Sequence, residues 1–478
     1  MRYLAILIPF LMACAAPSTN HPKLGLSTPL NWVNAQEAPS DSLWWTGFND
    51  RTLNALILEA QKNNNNLRAA ATRVHAAAAQ AKVAGAPPYP QLSGRLSGSR
   101  REQNFIGFPI SGSGGIVPSS TSNNFGVSLD VSWELDLWRK LGSARAAALS
   151  DFQAAEAEHS GARLSLSGQT AKAWFAAVEA LRQNELARST VKNYRTSSEL
   201  VSMRYERGLR PALDLRLSRS ILATAEANFE QRRMLLDRSV RQLEILLGRY
   251  PNAELVPGES LPRIPARIPA GIPASLVSRR PDLVAAERRL AAAVARTKQA
   301  RRALYPRISL TSSVGTSSSD LNNLLNGDYS VWNLAGNIIQ PLLQGGRIRG
   351  TIDLARARDQ QSMALYIQTV LNAYGEVESA LSAEEFLQRR EASLESAAEQ
   401  SVAARRLAED RYARGLSDLI TMLDSQRRAY ESESQLLAVR RQRLENRIDL
   451  HLALGGGYQG TTMAHYSAQN RKQGVEVQ

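Results

Sequence analysis

The sequence predicts a mainly α fold with a small β part, built from two tandem structural repeats. Three observations carry the prediction. Asn66-Leu67 and Tyr89-Pro90 return as Asp282-Leu283 and Tyr305-Pro306 at an offset of 216, and Arg204-Tyr205-Glu206-Arg207-Gly208-Leu209 returns as Arg411-Tyr412-Ala413-Arg414-Gly415-Leu416 at an offset of 207. Each copy holds segments in which apolar and polar residues alternate, the period of a half-buried strand. Each copy also holds a proline-free stretch, Ala144 to Tyr205 and Gly350 to Tyr412, long enough for a helix of about 60 residues and roughly 90 Å.

At the N-terminus, Arg2 and the apolar run Leu4 to Met12 have the charge and length of an export signal, too short to span a bilayer. Leu11-Met12-Ala13-Cys14 follows, similar to a lipobox, and Cys14 is the only cysteine. These residues predict a signal peptide over 1–13 and a lipidated extended segment over 14–50, acylated at Cys14. Plain signal-peptidase cleavage, with Cys14 a bystander, is the alternative. Both readings place the chain outside the cytoplasm. One cysteine excludes an internal disulfide framework and any zinc site built on several thiolates.

The first repeat is assigned to 51–254. Thr52 to Ala84 is alanine-rich and lacks Gly and Pro, which predicts one helix ended by Ala86-Pro87-Pro88-Tyr89-Pro90. Leu92 to Ser99 is the first strand. Phe125, Val127, Leu129, Val131 and Trp133 alternate with Gly126, Ser128, Asp130 and Ser132 as the second. The loop between, about Gln103 to Asn124, is the surplus of the first copy. Its Gly112-Ser113-Gly114-Gly115 lacks the lysine of a phosphate-binding loop and reads as a flexible turn. Pro257, Pro262, Pro265, Pro269 and Pro273 make 255–275 an extended connector. The second repeat, 276–457, carries Ile308 to Val314 and Trp332 to Ile338 as strands, and 458–478 is a tail.

Nine or so residues is the length of a tilted membrane-crossing strand, and only a closed barrel satisfies strand backbones in lipid. Four strands cannot close, and single-chain outer-membrane barrels begin at about eight. The strands must therefore be pooled among subunits; three chains supply twelve. A small soluble sheet with one solvated face is the alternative. No apolar run reaches the length of a membrane-spanning helix. In the second long helix Met363, Ile367, Val370, Tyr374, Val377 and Leu381 follow a coiled-coil a/d rhythm. Leu164, Gly168, Ala171 and Phe175 repeat its end 206 residues earlier.

The formal charge of +14 is almost wholly arginine. Pairs such as Arg279-Arg280, Arg389-Arg390, Arg405-Arg406 and Arg440-Arg441 alternate with Glu and Gln, which suits solvated helix faces and argues against nucleic acid as a partner. A surface-anchored coiled-coil scaffold and a secreted basic nucleic-acid binder are competing classes, but a scaffold has no use for paired strands of lipid-crossing length. No acid–base pair, metal cluster, His-Glu-x-x-His helix or Gly-x-Ser-x-Gly elbow can be placed, so neither enzyme activity nor a cofactor is expected.

The pattern Leu43-Trp44-Trp45 to Phe48-Asn49-Asp50, Arg279-Arg280-Pro281-Asp282-Leu283 with Ala286-Glu287, Tyr305-Pro306, and Leu452-Ala453-Leu454-Gly455-Gly456-Gly457 resembles the TolC-like outer-membrane efflux protein family over about residues 30 to 458. With the lipobox it looks like the lipoprotein, NodT-type branch that serves resistance-nodulation-division pumps. Arg139 stands where members often have Gly, and Tyr458 where they often have Trp. The resemblance implies a homotrimer with a twelve-stranded outer-membrane β-barrel continued by a long periplasmic α-helical barrel. It implies a passive export conduit for small molecules, with a periplasmic adaptor (membrane fusion) protein, an inner-membrane resistance-nodulation-division pump and outer-membrane lipid as partners. The outer-membrane channel of an ABC-driven secretion system is the alternative.

Each Arg-Tyr-x-Arg-Gly run ends a long helix. Gly208 and Gly415 can take the left-handed C-cap that turns the chain back, so Tyr205, Gly208 and Gly415 mark hairpin tips. Onto these tips the resemblance maps a periplasmic gate of Asp214 from the first, with Arg411, Tyr412 and Asp424 from the second.

Overall fold

The computed structural model describes residues 43–106, 117, 119–264 and 279–456. Cys14 and the signal peptide, the Gly112–Gly115 turn, Pro265 to Pro273 of the connector, Gly457, Tyr458 and the tail lie outside the described residues. A 3-10 turn, Trp44–Phe48, leads into α1 (Arg51–Asn63), α2 (Asn65–Gly85), β1 (Gln91–Asn104), β2 (Ser119–Leu135), α3 (Lys140–Glu206) and α4 (Ala212–Leu247). The second half has α5 (Pro281–Arg302), β3 (Arg307–Ser318), β4 (Ser330–Ile339), α6 (Arg347–Ala413) and α7 (Leu419–Ala453). Both α3 and α6 have 67 residues, and their starts and ends are each 207 apart. The repeat is thus carried by elements of equal length.

One expectation is corrected. Thr52 to Ala84 is not a single helix, because Asn64 leaves the helical region at φ −67°, ψ 122°. Its side-chain oxygen accepts from the backbone N–H of Asn66 (3.0 Å) and Leu67 (3.1 Å), capping α2, while its amide nitrogen donates to the Leu246 carbonyl at 3.0 Å. Asparagine competes with helical hydrogen bonds through its own side chain, and here it ends α1 and starts α2.

Contacts divide the chain into two compact units. The first draws on His75–Ala154 and Glu287–Leu365. Its sheet is antiparallel in the order β1-β2-β3-β4, so β1 and β4 each have one neighbour within the chain. The strands run beyond the alternating segments. Cross-strand partners share a face. Leu92, Leu96, Val127, Leu129, Val131, Leu310, Val314, Leu334 and Ile338 fall on one face by register, and most are exposed. Ser93, Arg95, Ser97, Ser128, Asp130, Ser132, Thr311 and Ser313 fall on the other. At the base of this sheet Asp136 accepts from the N–H groups of Leu141 (2.9 Å) and Gly142 (2.6 Å), capping α3. Arg139 adopts φ 57°, a left-handed conformation that favours glycine. Its carbonyl accepts from Arg302 at 2.8 Å, while Trp138 donates to the Pro306 carbonyl at 2.8 Å and stacks on Tyr305.

The second unit comprises 43–74, Ala155–Ala286 and the chain from Tyr366 onward. Trp44, Trp45 and Phe48 are buried with Leu53, Ile57, Trp174, Phe175, Leu243 and Ile448, and the Trp174 indole donates to Asp50 at 2.7 Å. Of the predicted seam, Val370, Val377 and Leu381 are buried, as are Gly168, Ala171 and Phe175, whereas Met363, Ile367, Tyr374 and Leu164 are half-buried. A Cβ on Gly168 would sit 2.5 Å from Leu452, so α3 and α7 approach through the missing side chain. The Arg-Arg-Pro-Asp run is a junction. Buried Arg280 meets Asp282 through Nε (3.0 Å) and Nη2 (2.6 Å), and its Nη1 donates to Glu376 at 2.6 Å and to the Ala453 carbonyl at 3.0 Å. Burial opposes its charge, but the Asp282 and Glu376 carboxylates hold its pKa above the usual value. Gly455, at φ 85°, packs against the Arg279 carbonyl, where a Cβ would come within 2.6 Å.

Candidate functional site

Two hairpin tips form the candidate site. In the first, the Gly208 N–H donates to the Tyr205 carbonyl and the Leu209 N–H to the Arg204 carbonyl, both at 2.8 Å. In the second, Gly415 bonds Tyr412 at 3.0 Å and Leu416 bonds Arg411 at 2.8 Å. This pair of bonds is the Schellman motif, and it requires a left-handed residue. Gly208 at φ 71° and Gly415 at φ 77° supply it. Nothing lies within 4 Å of a Cβ built on either, so backbone conformation alone calls for glycine.

Tyr205 is exposed beside its turn. Asp214 lies in the first turn of α4 and pairs with Arg210 at 3.8 Å. Arg411 is exposed. Tyr412 is 0% exposed in a cluster with Val201, Leu215, Leu419, Met422 and Leu423, and its hydroxyl has no hydrogen-bond partner among the described residues. Asp424 is partly exposed, and Arg427 (2.7 Å) and Arg428 (2.6 Å) bind its two oxygens from the same helix. The hydrogen bonds from Arg428 and Arg427 hold its carboxyl below the ordinary range. Cys14 is outside the described residues.

Two residues escaped the sequence reading. Arg204 donates to the carbonyls of Tyr412 (3.1 Å) and Ala413 (2.7 Å), neutralising the C-terminal end of α6, and its guanidinium lies 4.9 Å from the centre of the Tyr412 ring. Arg210 covers the same ring at 5.4 Å. The signal for Arg204 was present in the repeated Arg-Tyr-x-Arg-Gly run; its target across the tips was not. Beside Asp424 a cleft of about 460 Å³ opens between α3, α4 and α7, lined by Tyr194, Leu217, Ile221, Leu423, Asp424 and Tyr430 among others. Burial raises the Tyr194 hydroxyl to about 12, so it stays protonated there.

The family model described as "Outer membrane efflux protein" matches residues 56–249 and 272–456. The chain belongs to the outer membrane efflux protein family. This efflux protein is 32% identical over 467 residues to the pyoverdine export outer membrane protein OpmQ of Pseudomonas putida KT2440, covering 94% of this chain and 96% of the relative. It is also 32% identical over 437 residues to the cation efflux system protein CusC of Escherichia coli O6:H1, covering 89% and 91%. Among solved structures, the Campylobacter jejuni CmeC outer membrane channel superposes with a TM-score of 0.85 at 25% identity, covering 95% of this chain and 96% of that one. The efflux protein is therefore an outer-membrane channel component. None of its described helices is long and apolar enough to cross a membrane.

Proposed function

We propose that three copies of this chain pool their sheets into one twelve-stranded barrel in the outer membrane, continued by a periplasmic α-helical barrel. One observation carries the reading: a four-stranded sheet with an exposed apolar face and, among the described residues, two edge strands each paired on one side only. In lipid those edges must be closed by other chains. Two copies would make an eight-stranded barrel, whose interior side chains fill; twelve strands leave room for solutes. The polar face then lines a water-filled lumen, and the chain acts as a passive, non-catalytic conduit.

The remaining assignments belong to the same proposal. Cys14 carries the lipid anchor of segment 14–50. The repeats 51–254 and 276–457 flank connector 255–275 and precede the tail, 458–478. A periplasmic adaptor and an inner-membrane resistance-nodulation-division pump supply the energy and act on the tips. Asp214, Arg411, Tyr412 and Asp424 form the gate there. Arg411 and Asp424 are accessible to a neighbouring copy, whereas Tyr412 holds the two tips of its own chain together under Arg204 and Arg210.

The mass of the protein extracted from outer membranes, measured by light scattering and corrected for detergent, tests the assembly. Three times the mature chain is expected, and a water-soluble monomer would sink the reading. For the gate, Tyr412→Phe combined with Asp424→Asn is expected to raise single-channel conductance in planar bilayers; unchanged conductance would reject those two residues as gate members.

A further inference from the structure

Across β1, β2 and β3 the polar face of the sheet holds hydroxyl, amide and glycine positions apart from its charges, and on β4 it carries Val331, Ala335 and Ile339 beside Asn333 and Asn337. Its charges are Arg95, Arg101, Asp130, Glu134 and Arg307. Arg101 lies near the end of β1, Arg307 begins β3, and Glu134, near the end of β2, is paired with Lys140 at 3.2 Å. Only Arg95 and Asp130 occupy the middle of the strands, level with the apolar band of Leu92 to Leu96 and Val127 to Val131 on the opposite face.

These two charges are presented unequally. Asp130 has a side-chain exposure of 25% and is tied down by hydroxyls, Ser313 donating at 2.6 Å and Ser128 at 3.2 Å. Arg95 has a side-chain exposure of 72% and approaches Asp130 only through Nε, at 3.3 Å. Its two terminal amino groups have no partner in the chain among the described residues, so they face the space in front of the sheet. A formally neutral pair thus shows its cation outward and its anion inward.

We infer that Arg95, braced by Asp130, forms a positive ring at mid-height of the lumen that favours anionic over cationic solutes. The inference rests on the pooled-barrel reading, which turns one arginine into three around one axis. Charges inside a narrow conduit with low-dielectric walls focus their field on the solutes that pass. Asp130 is a positioning residue: it fixes the direction of the guanidinium and does not itself face the solute.

The test uses the full chain in proteoliposomes, with Ser97→Cys as a reporter one position outward of Arg95 on the same face. An anionic sulfonatoethyl and a cationic trimethylammonioethyl methanethiosulfonate are applied separately, with the chain lacking Ser97→Cys as the baseline. The ratio of anionic to cationic labelling rates reports the local potential. Adding Arg95→Gln is expected to lower that ratio roughly fivefold and Arg95→Glu to lower it further, because the unit charge two residues from the reporter is removed or reversed, together with its two equivalents around the barrel. Arg95→Lys keeps the charge and should hold the ratio within twofold, which also controls for a misassembled barrel. Asp130→Asn, which leaves Arg95 in place, should not lower it. A ratio unmoved by Arg95→Gln and Arg95→Glu would overturn the ring while leaving the conduit intact. Failure of both reagents to reach Ser97→Cys would overturn the water-filled lumen, and the ring with it.

Discussion

The two hairpin tips share a turn and differ in nearly everything attached to it. Both long helices end in the same two backbone hydrogen bonds around a left-handed glycine. The first tip sends Arg204 and Arg210 across to the second, where they cap α6 and cover Tyr412. At the equivalent positions, 207 residues on, Arg411 is exposed and Ser417 is uncharged. The returning helices differ as well. Pro211 gives α4 no side-chain cap, whereas Asp418 caps α7 by accepting from the Thr421 N–H at 2.7 Å. Duplication kept what the backbone requires and let the side chains diverge into a bracing tip and a presenting one.

The largest expected effect breaks the brace. Arg204→Ala removes two charge-assisted hydrogen bonds to the last carbonyls of α6 and half the cover of Tyr412, about 2 kcal/mol of local stability. Amide exchange at Gly415 and Leu416 should quicken by roughly thirtyfold, since 1.4 kcal/mol is about tenfold. Arg411→Ala has no such contacts to lose and should leave exchange at Gly208 and Leu209 within about twofold. Equal responses of the two tips would dissolve the distinction between them.

A smaller effect tests the shared half of the comparison. Gly208→Ala and Gly415→Ala each force a Cβ into a left-handed conformation, at about 1 kcal/mol. Because the space beyond both Cα atoms is open, the two penalties should match, each seen as roughly fivefold faster exchange at the turn. A threefold or greater difference between them would mean that the surroundings, not the turn, set the conformation.

What could be read from sequence follows the same division. The repeat, the strands, the long helices and the glycine turns were legible because each rests on a local rule: a period of two, absence of proline, or a residue free to take positive φ. The Thr52–Ala84 helix was misjudged where one side chain, Asn64, overrides an otherwise helical run by bonding Leu246, far away in sequence. Arg280 was legible as part of a motif, but its links to Glu376 and the Ala453 carbonyl depend on how distant elements dock. The same holds for Arg204 over Tyr412. Nor does alternation reveal that Arg95 faces outward while Asp130 is held back by Ser313, because that depends on the β2–β3 register.

The smallest expected effect separates the helix starts. Hydrogen bonds from the backbone and side chain of Thr421 hold the Asp418 carboxyl below the ordinary carboxylate range. A folded-state pKa below the unfolded one means that the unfolded state takes up the proton first as pH falls. The cap's stabilisation is therefore complete above the ordinary carboxylate range and is lost as pH drops through the lowered value. Protection of the Thr421 amide, corrected for intrinsic exchange, should fall across that acidic window, and Asp418→Ala should reduce it a few-fold near neutrality and abolish the acid dependence. The start of α4 has no capping side chain to titrate at Pro211, so Pro211→Asp should confer the acid-sensitive protection that α7 already has. Indifference of Thr421 protection to both pH and Asp418→Ala would show that α7 is held by its packing alone, and the two helix starts would then be equivalent.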